Sequence, residues 1–343
     1  MKNRLLNFLK GIGCIGIILM HVVVPGKIGV IIKTIAGYAV PLFFMISGYY
    51  AYGIDSDIVH SKIKRRLKRI LRILLYSILL YFTFTFSYLY ITEGLMGIKL
   101  WFSTDFTIKN LIQFIFLNNL DLIWAWHLWF LIALMYDYIL LMFFNRLNSQ
   151  FNFYILIPIC FAIRIFTCGG NPLWVNNFFV TGLPFVLLGN LIAKYKNKFA
   201  KLKNLEYIIL AFIGMIFSII TLKLHTYIEV SYIGIILLAT SLFLLATFNP
   251  RVKVNRIIEV IGEKYSLHIY IIHLMFVILM DKMYIRLGVN KNILLLYIKP
   301  MIVIVISLAF ALIWNQLEKL IFTALHALKK YWIIKKNLRN KKV

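Results

Sequence analysis

Acidic side chains are scarce in this sequence: 12 Asp and Glu stand against 38 Lys and Arg, leaving a net charge of +26. Charged residues of both signs make up only 15% of the 343 positions, whereas 62% are hydrophobic. At a mean hydropathy of +0.86 there is too little polar side chain to cover a soluble globule of this length, so the composition is that of a polytopic membrane protein. Cysteine is limited to Cys14, Cys160 and Cys168, whose spacing fits neither a disulfide framework nor a metal site, and all three read as structural. Too few carboxylates or thiols accompany the histidines to build a metal centre, and none is expected. A Gly-rich phosphate loop, a His-x-x-Glu-His pair and a Gly-x-Ser-x-Gly elbow are all missing. So is a cleavable leader: the apolar run after "MKNR" is interrupted by Lys10 with no small-residue cleavage site behind it, and the first helix is expected to stay as an anchor. The basic excess would suit nucleic acid, but basic segments on the cytoplasmic face of a bilayer account for it better, and no nucleic-acid partner is expected.

What is present is a series of long apolar runs. A bilayer-crossing helix needs about 20 mostly apolar residues. Ten candidates fall near 5–24, 29–50, 72–92, 126–145, 151–167, 176–194, 204–222, 230–248, 264–281 and 296–318. The expected fold is therefore an all-α polytopic membrane protein of about ten transmembrane helices, 1–320, with a basic tail, 321–343. The stretch 93–125 holds "IKNLIQFIFL", which reads as a short interfacial helix. With the N-terminus inside, roughly 27 Lys and Arg fall on cytoplasmic segments and about 9 outside, so both termini are expected in the cytoplasm.

Ionisable groups within spans are costly and mark functional candidates. Lys10 and His21 share the first span. Eleven steps of 100° return to within about 20° of the same face, with ~16 Å of rise between the two side chains. Lys10 thus faces the cytoplasmic half and His21 the outer half; snorkelling of the lysine and simple hydrogen bonding of the histidine are the structural alternatives. In the second span Pro41 is expected to kink the helix, and Ser47-Gly48 allow close helix approach. Around "WAWHLWFLIALMYDY", Trp124, Trp126 and Trp129 read as an interfacial belt around His127; Asp137 lies deeper and needs a cation, for which Lys10 is the candidate. Ser266, Tyr270 and His273 in "YSLHIYIIHLMF" fall on one helix face and suggest a lined cavity, or interhelical hydrogen bonds alone.

"KGIGCIGIILMH", "VPLFFMISGYY", "RRLKRILR", "WHLWFLIALMYDY" and "YSLHIYIIHLMF" occur in this order from residue 10 to residue 273. Together they resemble acyltransferase family 3, integral membrane acyltransferases, and specifically members without a fused extracytoplasmic domain. The family's first-span motif has arginine where this chain has Lys10. The resemblance implies transfer of an acyl group, usually acetyl, from cytoplasmic acyl-CoA to a hydroxyl of a cell-surface glycan or its lipid-linked precursor. It places His21 as the essential histidine, acting as base or as acyl carrier, with Lys10 directed to the donor. Arg66, Arg69 and Arg72 form its basic first cytoplasmic loop. A polyanionic donor suits such a surface, and an imidazole can take a proton from an attacking hydroxyl. A lysine keeps the charge but not the planar fork of the arginine. The competing expectation is a membrane carrier without chemistry, which broken helices and inverted repeats would favour.

Overall fold

The computed structural model describes residues 3–22, 24–53, 56–144, 149–166, 171–222 and 230–340, and these contain helices and no strand. Twelve helices carry the architecture. They are α1 (Arg4–His21), α2 (Gly26–Ala36), α3 (Ala39–Ala51), α4 (Ser56–Asp105), α5 (Ile108–Leu117), α6 (Trp129–Phe144), α7 (Asn152–Phe166), α8 (Phe178–Lys194), α9 (Asn204–Thr221), α10 (Ser231–Phe248), α11 (Arg256–Arg286) and α12 (Ile293–Asn340). Eight helical segments among the described residues are long and apolar enough to cross a membrane, α2 and α3 counting together. They coincide with eight of the ten expected runs. The other two, α7 and α8, are apolar but shorter.

Several boundaries differ from expectation. The run 29–50 is two helices: the break falls at Gly37 and Tyr38, and Pro41 sits inside the first turn of α3. There its missing N–H costs nothing, so the proline starts a helix instead of kinking one. The basic segment 62–72 is not a loop but an early part of α4. That helix is interrupted only at Gly94, whose φ of 66° and ψ of −157° lie outside helical space. Residues 256–264, expected as a loop, already belong to α11 and include a π-helical stretch, Ile261–Tyr265. The short helix expected at "IKNLIQFIFL" forms as α5, started by the Thr107 side chain and ended by Asn118 at φ 58°.

Small residues set the packing. A methyl group on Gly48 of α3 would overlap the Val186 carbonyl of α8, and one on Gly189 of α8 would overlap the Met45 carbonyl of α3. Gly11 of α1 and Gly262 of α11 meet the same way, against Ile258 and Asn7 backbone. Such reciprocal contacts let helix backbones touch where lipid offers no hydrophobic drive to pair them. They hold α3 against α8 and α1 against α11.

Candidate active site

Three imidazoles from three helical elements meet in the bundle. His21 ends α1, His127 stands in the short turn Trp126–Leu128 before α6, and His273 is in α11. Ring centroids lie 5.2 Å apart for His21–His273, 5.0 Å for His127–His273 and 6.5 Å for His21–His127. His127 and His273 are buried, whereas His21 is partly exposed. Among the described residues no group of three His, Cys, Asp or Glu is arranged to hold a metal ion.

Backbone carbonyls orient two of the rings. Nε2 of His127 lies 3.2 Å from the Ile271 carbonyl, and Nδ1 of His273 lies 2.8 Å from the Tyr270 carbonyl and 3.1 Å from that of Ile269. A carbonyl only accepts, so each of these nitrogens carries the proton. The opposite nitrogens, Nδ1 of His127 and Nε2 of His273, are buried lone pairs with no hydrogen-bond partner. Tyrosines brace the arrangement. The Tyr270 hydroxyl donates to the His127 carbonyl at 2.5 Å. Tyr81 donates to the Ile271 carbonyl at 2.9 Å and accepts from the Met275 N–H at 3.1 Å.

Beside the histidines is a cavity of about 420 Å³. Lys10, Ser47, Arg66, Arg69, Ser266 and Tyr270 supply its polar wall, and residues such as Ile17, Phe43 and Phe130 its apolar wall. Tyr270 belongs to both regions: it lines the cavity, and its ring lies 5.3 Å from His127. Lys10 lines the cavity, and His21, on the same face of α1, belongs to the histidine cluster that Tyr270 adjoins.

The predicted residues do not all converge. Arg66 lines the cavity, but its guanidinium is largely engaged. It donates to the Ser47 and Tyr50 carbonyls at 3.1 and 2.8 Å and to the Tyr138 hydroxyl at 3.0 Å, holding the C-terminal end of α3. A cation at a helix C-terminus is favourable on its own account. Arg69 lines the cavity with its side chain exposed; Arg72, one turn further on, is exposed and outside it. Asp137 is buried but does not line the cavity and is not paired with Lys10. Its carboxylate oxygens have no hydrogen-bond partner and lie against Gly182 of α8. The sequence pairs Lys10 and Asp137 by expected depth, but depth carries no azimuth: the adjacent Tyr138 lines the cavity and Asp137 does not. Tyr81 and Tyr138 were not legible as site residues, because only tertiary packing brings them to His127 and Arg66.

Fold and site together define a multi-pass helical membrane protein with a cluster of three histidines beside a cavity whose wall carries cations. The acyltransferase domain of acyltransferase family 3 matches residues 3–315, nearly the whole chain, and the chain belongs to that family. It is a membrane acyltransferase. Neither a curated protein nor a solved structure matches the chain.

Proposed function

We propose that the protein transfers an acetyl group from acetyl-CoA to a hydroxyl of a cell-surface polysaccharide or its lipid-linked precursor, at the cell membrane. The observation that carries this reading is a cluster of His21 with two histidines that keep uncommitted lone pairs, joined through Tyr270 to a cavity lined by Lys10 and Arg69. In this reading Lys10 and Arg69 meet the phosphates of the donor, and the thioester reaches His21 past Tyr270. Ser47 and Ser266 offer hydroxyls along the cavity wall.

Two routes use the same geometry. In one, an imidazole takes the acceptor hydroxyl proton while the oxygen attacks the thioester carbonyl and the C–S bond breaks. In the other, His21 nitrogen attacks first, the thiolate leaves and is protonated, and the acceptor then displaces the imidazole. Mixing purified protein with acetyl-CoA alone separates them: only the second route gives free coenzyme A and an acetylated His21. The overall reading is tested by coenzyme A release and acetylated glycan in matched amounts. His21→Ala should reduce both by at least 10²–10⁴-fold while the protein still inserts. Wild-type transfer rates in that variant would place the chemistry elsewhere. A carrier without chemistry would draw on the break between α2 and α3, but the break is packed shut by buried Ala36, Tyr38 and Ala39, with Gly16 of α1 against Ala36.

A further inference from the structure

The end of the bundle away from Lys10 and Arg69 has no assigned role. Along α11, Ser266 lines the cavity, His273 joins the histidine cluster, and Lys282 stands beyond both, ~24 Å of helical rise from Ser266. There the segment between α5 and α6 is tied down. The Trp124 N–H donates to the Asp121 carbonyl at 2.9 Å and the Ala125 N–H to the Leu120 carbonyl at 3.1 Å. From outside the segment, the Trp101 indole N–H donates to the Leu122 carbonyl at 2.8 Å and the Thr85 hydroxyl to the Ile123 carbonyl at 3.1 Å. These bonds hold Trp124 at φ 55°, a left-handed conformation that a bulky residue keeps only when its surroundings over-determine it. Its indole lies 5.6 Å from the Tyr88 ring at 63°. The exposed Lys282 ammonium lies 5.3 Å from the Trp124 ring and 5.6 Å from the Tyr88 ring. Three residues after Trp124, the same segment delivers His127 to the cluster.

We propose that Trp124, Tyr88 and Lys282 form the acceptor subsite, and that its ligand is an acidic saccharide. A sugar's C–H face stacks on the aromatic rings, and a carboxylate on that sugar meets Lys282. This rests on the acyltransferase reading for its place in the reaction, but binding at the subsite is a separate fact. The geometry favours it because donor and acceptor then approach the histidines from opposite ends without sharing a path. The left-handed Trp124 fixes ring and histidine on one rigid segment, so a sugar held by the indole has a defined distance to His127.

The test is binding by purified, detergent-solubilised protein of a glucuronate-containing trisaccharide and of the neutral glucose analogue, measured without acyl donor. Wild type should bind the acidic probe more tightly. Trp124→Asn removes the ring but keeps a residue that tolerates the left-handed backbone, and should weaken both probes about tenfold. Lys282→Gln should weaken the acidic probe alone, and Lys282→Arg should restore it. Coenzyme A affinity should stay at the wild-type value in all three. Wild type that binds neither probe, or variants that bind as wild type does, would overturn the subsite. So would variants that lose coenzyme A binding as well, or that change only extraction from the membrane; these would make the cluster an element of structure or an interfacial belt. Failure of acetyl transfer by wild type would sink the enzymatic reading and leave the saccharide result standing.

Discussion

Of the three cations that line the cavity, Lys10, Arg66 and Arg69, it is Arg66 that is tied to carbonyls at a helix end, and this sets the expected order of substitution effects. Lys10→Ala and Arg69→Ala should each raise the KM for acetyl-CoA, the more so at low salt, because contacts to phosphate are electrostatic and are screened as salt rises. Arg72→Ala should leave it unchanged, since its side chain points out of the cavity. Arg66→Ala should lower thermal stability as well as donor affinity, because it frees the carbonyls of Ser47 and Tyr50. Steady-state kinetics and melting curves on the four purified variants separate these outcomes; an Arg72→Ala effect equal to that of Arg69→Ala would refute the assignment. Lys10→Arg should remain active, as the charge is preserved. At this scale the sequence was informative about Lys10 and His21, because helical periodicity alone puts them on one face. It was uninformative about which arginines of α4 reach the cavity, because a basic stripe has no visible direction until α3 is packed against it.

Between helices, the site depends on backbone contacts that tolerate no side chain. Gly48 and Gly189 meet across α3 and α8, and an added Cβ at Gly48 would strike the Val186 carbonyl, which cannot rotate away. Gly94 is the useful contrast. Its φ of 66° disfavours any other residue, yet an added Cβ would have nothing within 4 Å. Gly48→Ala should therefore cost more than the ~1–3 kcal/mol of ordinary overpacking, because a backbone carbonyl overlapping the new Cβ cannot yield, whereas Gly94→Ala should cost about 1–3 kcal/mol through backbone strain alone. Thermal unfolding in detergent checks the order, and a larger loss at Gly94 would contradict it. Because α3 carries Ser47 and the carbonyls that hold Arg66, Gly48→Ala should also depress acyl transfer, whereas Gly94→Ala should not. The spans were readable from their apolar length, and Gly48 from its small neighbour Ser47. The break at Gly37 was not readable: Pro41 marked the place, but proline at a helix start and proline at a kink look alike until the preceding turn is seen.

For the chain as a whole, the open matter is how often it crosses the bilayer. Eight helical segments are long enough, while α7 and α8 are shorter than the ~20 residues a typical hydrocarbon core requires. Basic residues decide what the two do. Lys194 ends α8, Lys196, Lys198, Lys201 and Lys203 follow it, and Arg146 precedes α7, so both flanks of the pair carry cations expected in the cytoplasm. The connection between them holds no Lys or Arg from Thr167 to Phe179. A crossing pair places that connection outside; a re-entrant pair returns it to the cytoplasmic face. We expect a crossing pair, with the bilayer thinning around two short helices at a modest cost. The chain supplies its own probe. Cys168 falls in the connection, outside the described residues, while Cys14 and Cys160 are buried. In intact cells a membrane-impermeant maleimide should label the wild-type chain, and Cys168→Ser should abolish the label. Labelling that appears only after the membrane is permeabilised would put the connection inside, reduce the crossings to eight, and make α7 and α8 a re-entrant pair. Both results keep the termini on the same side, so a reporter fused after Lys27 and another at the C-terminus must read opposite faces in either case. If the reporter after Lys27 reads the cytoplasmic face, the cytoplasmic placement of Lys10 and Arg69 fails, and with it the cytoplasmic approach of the donor.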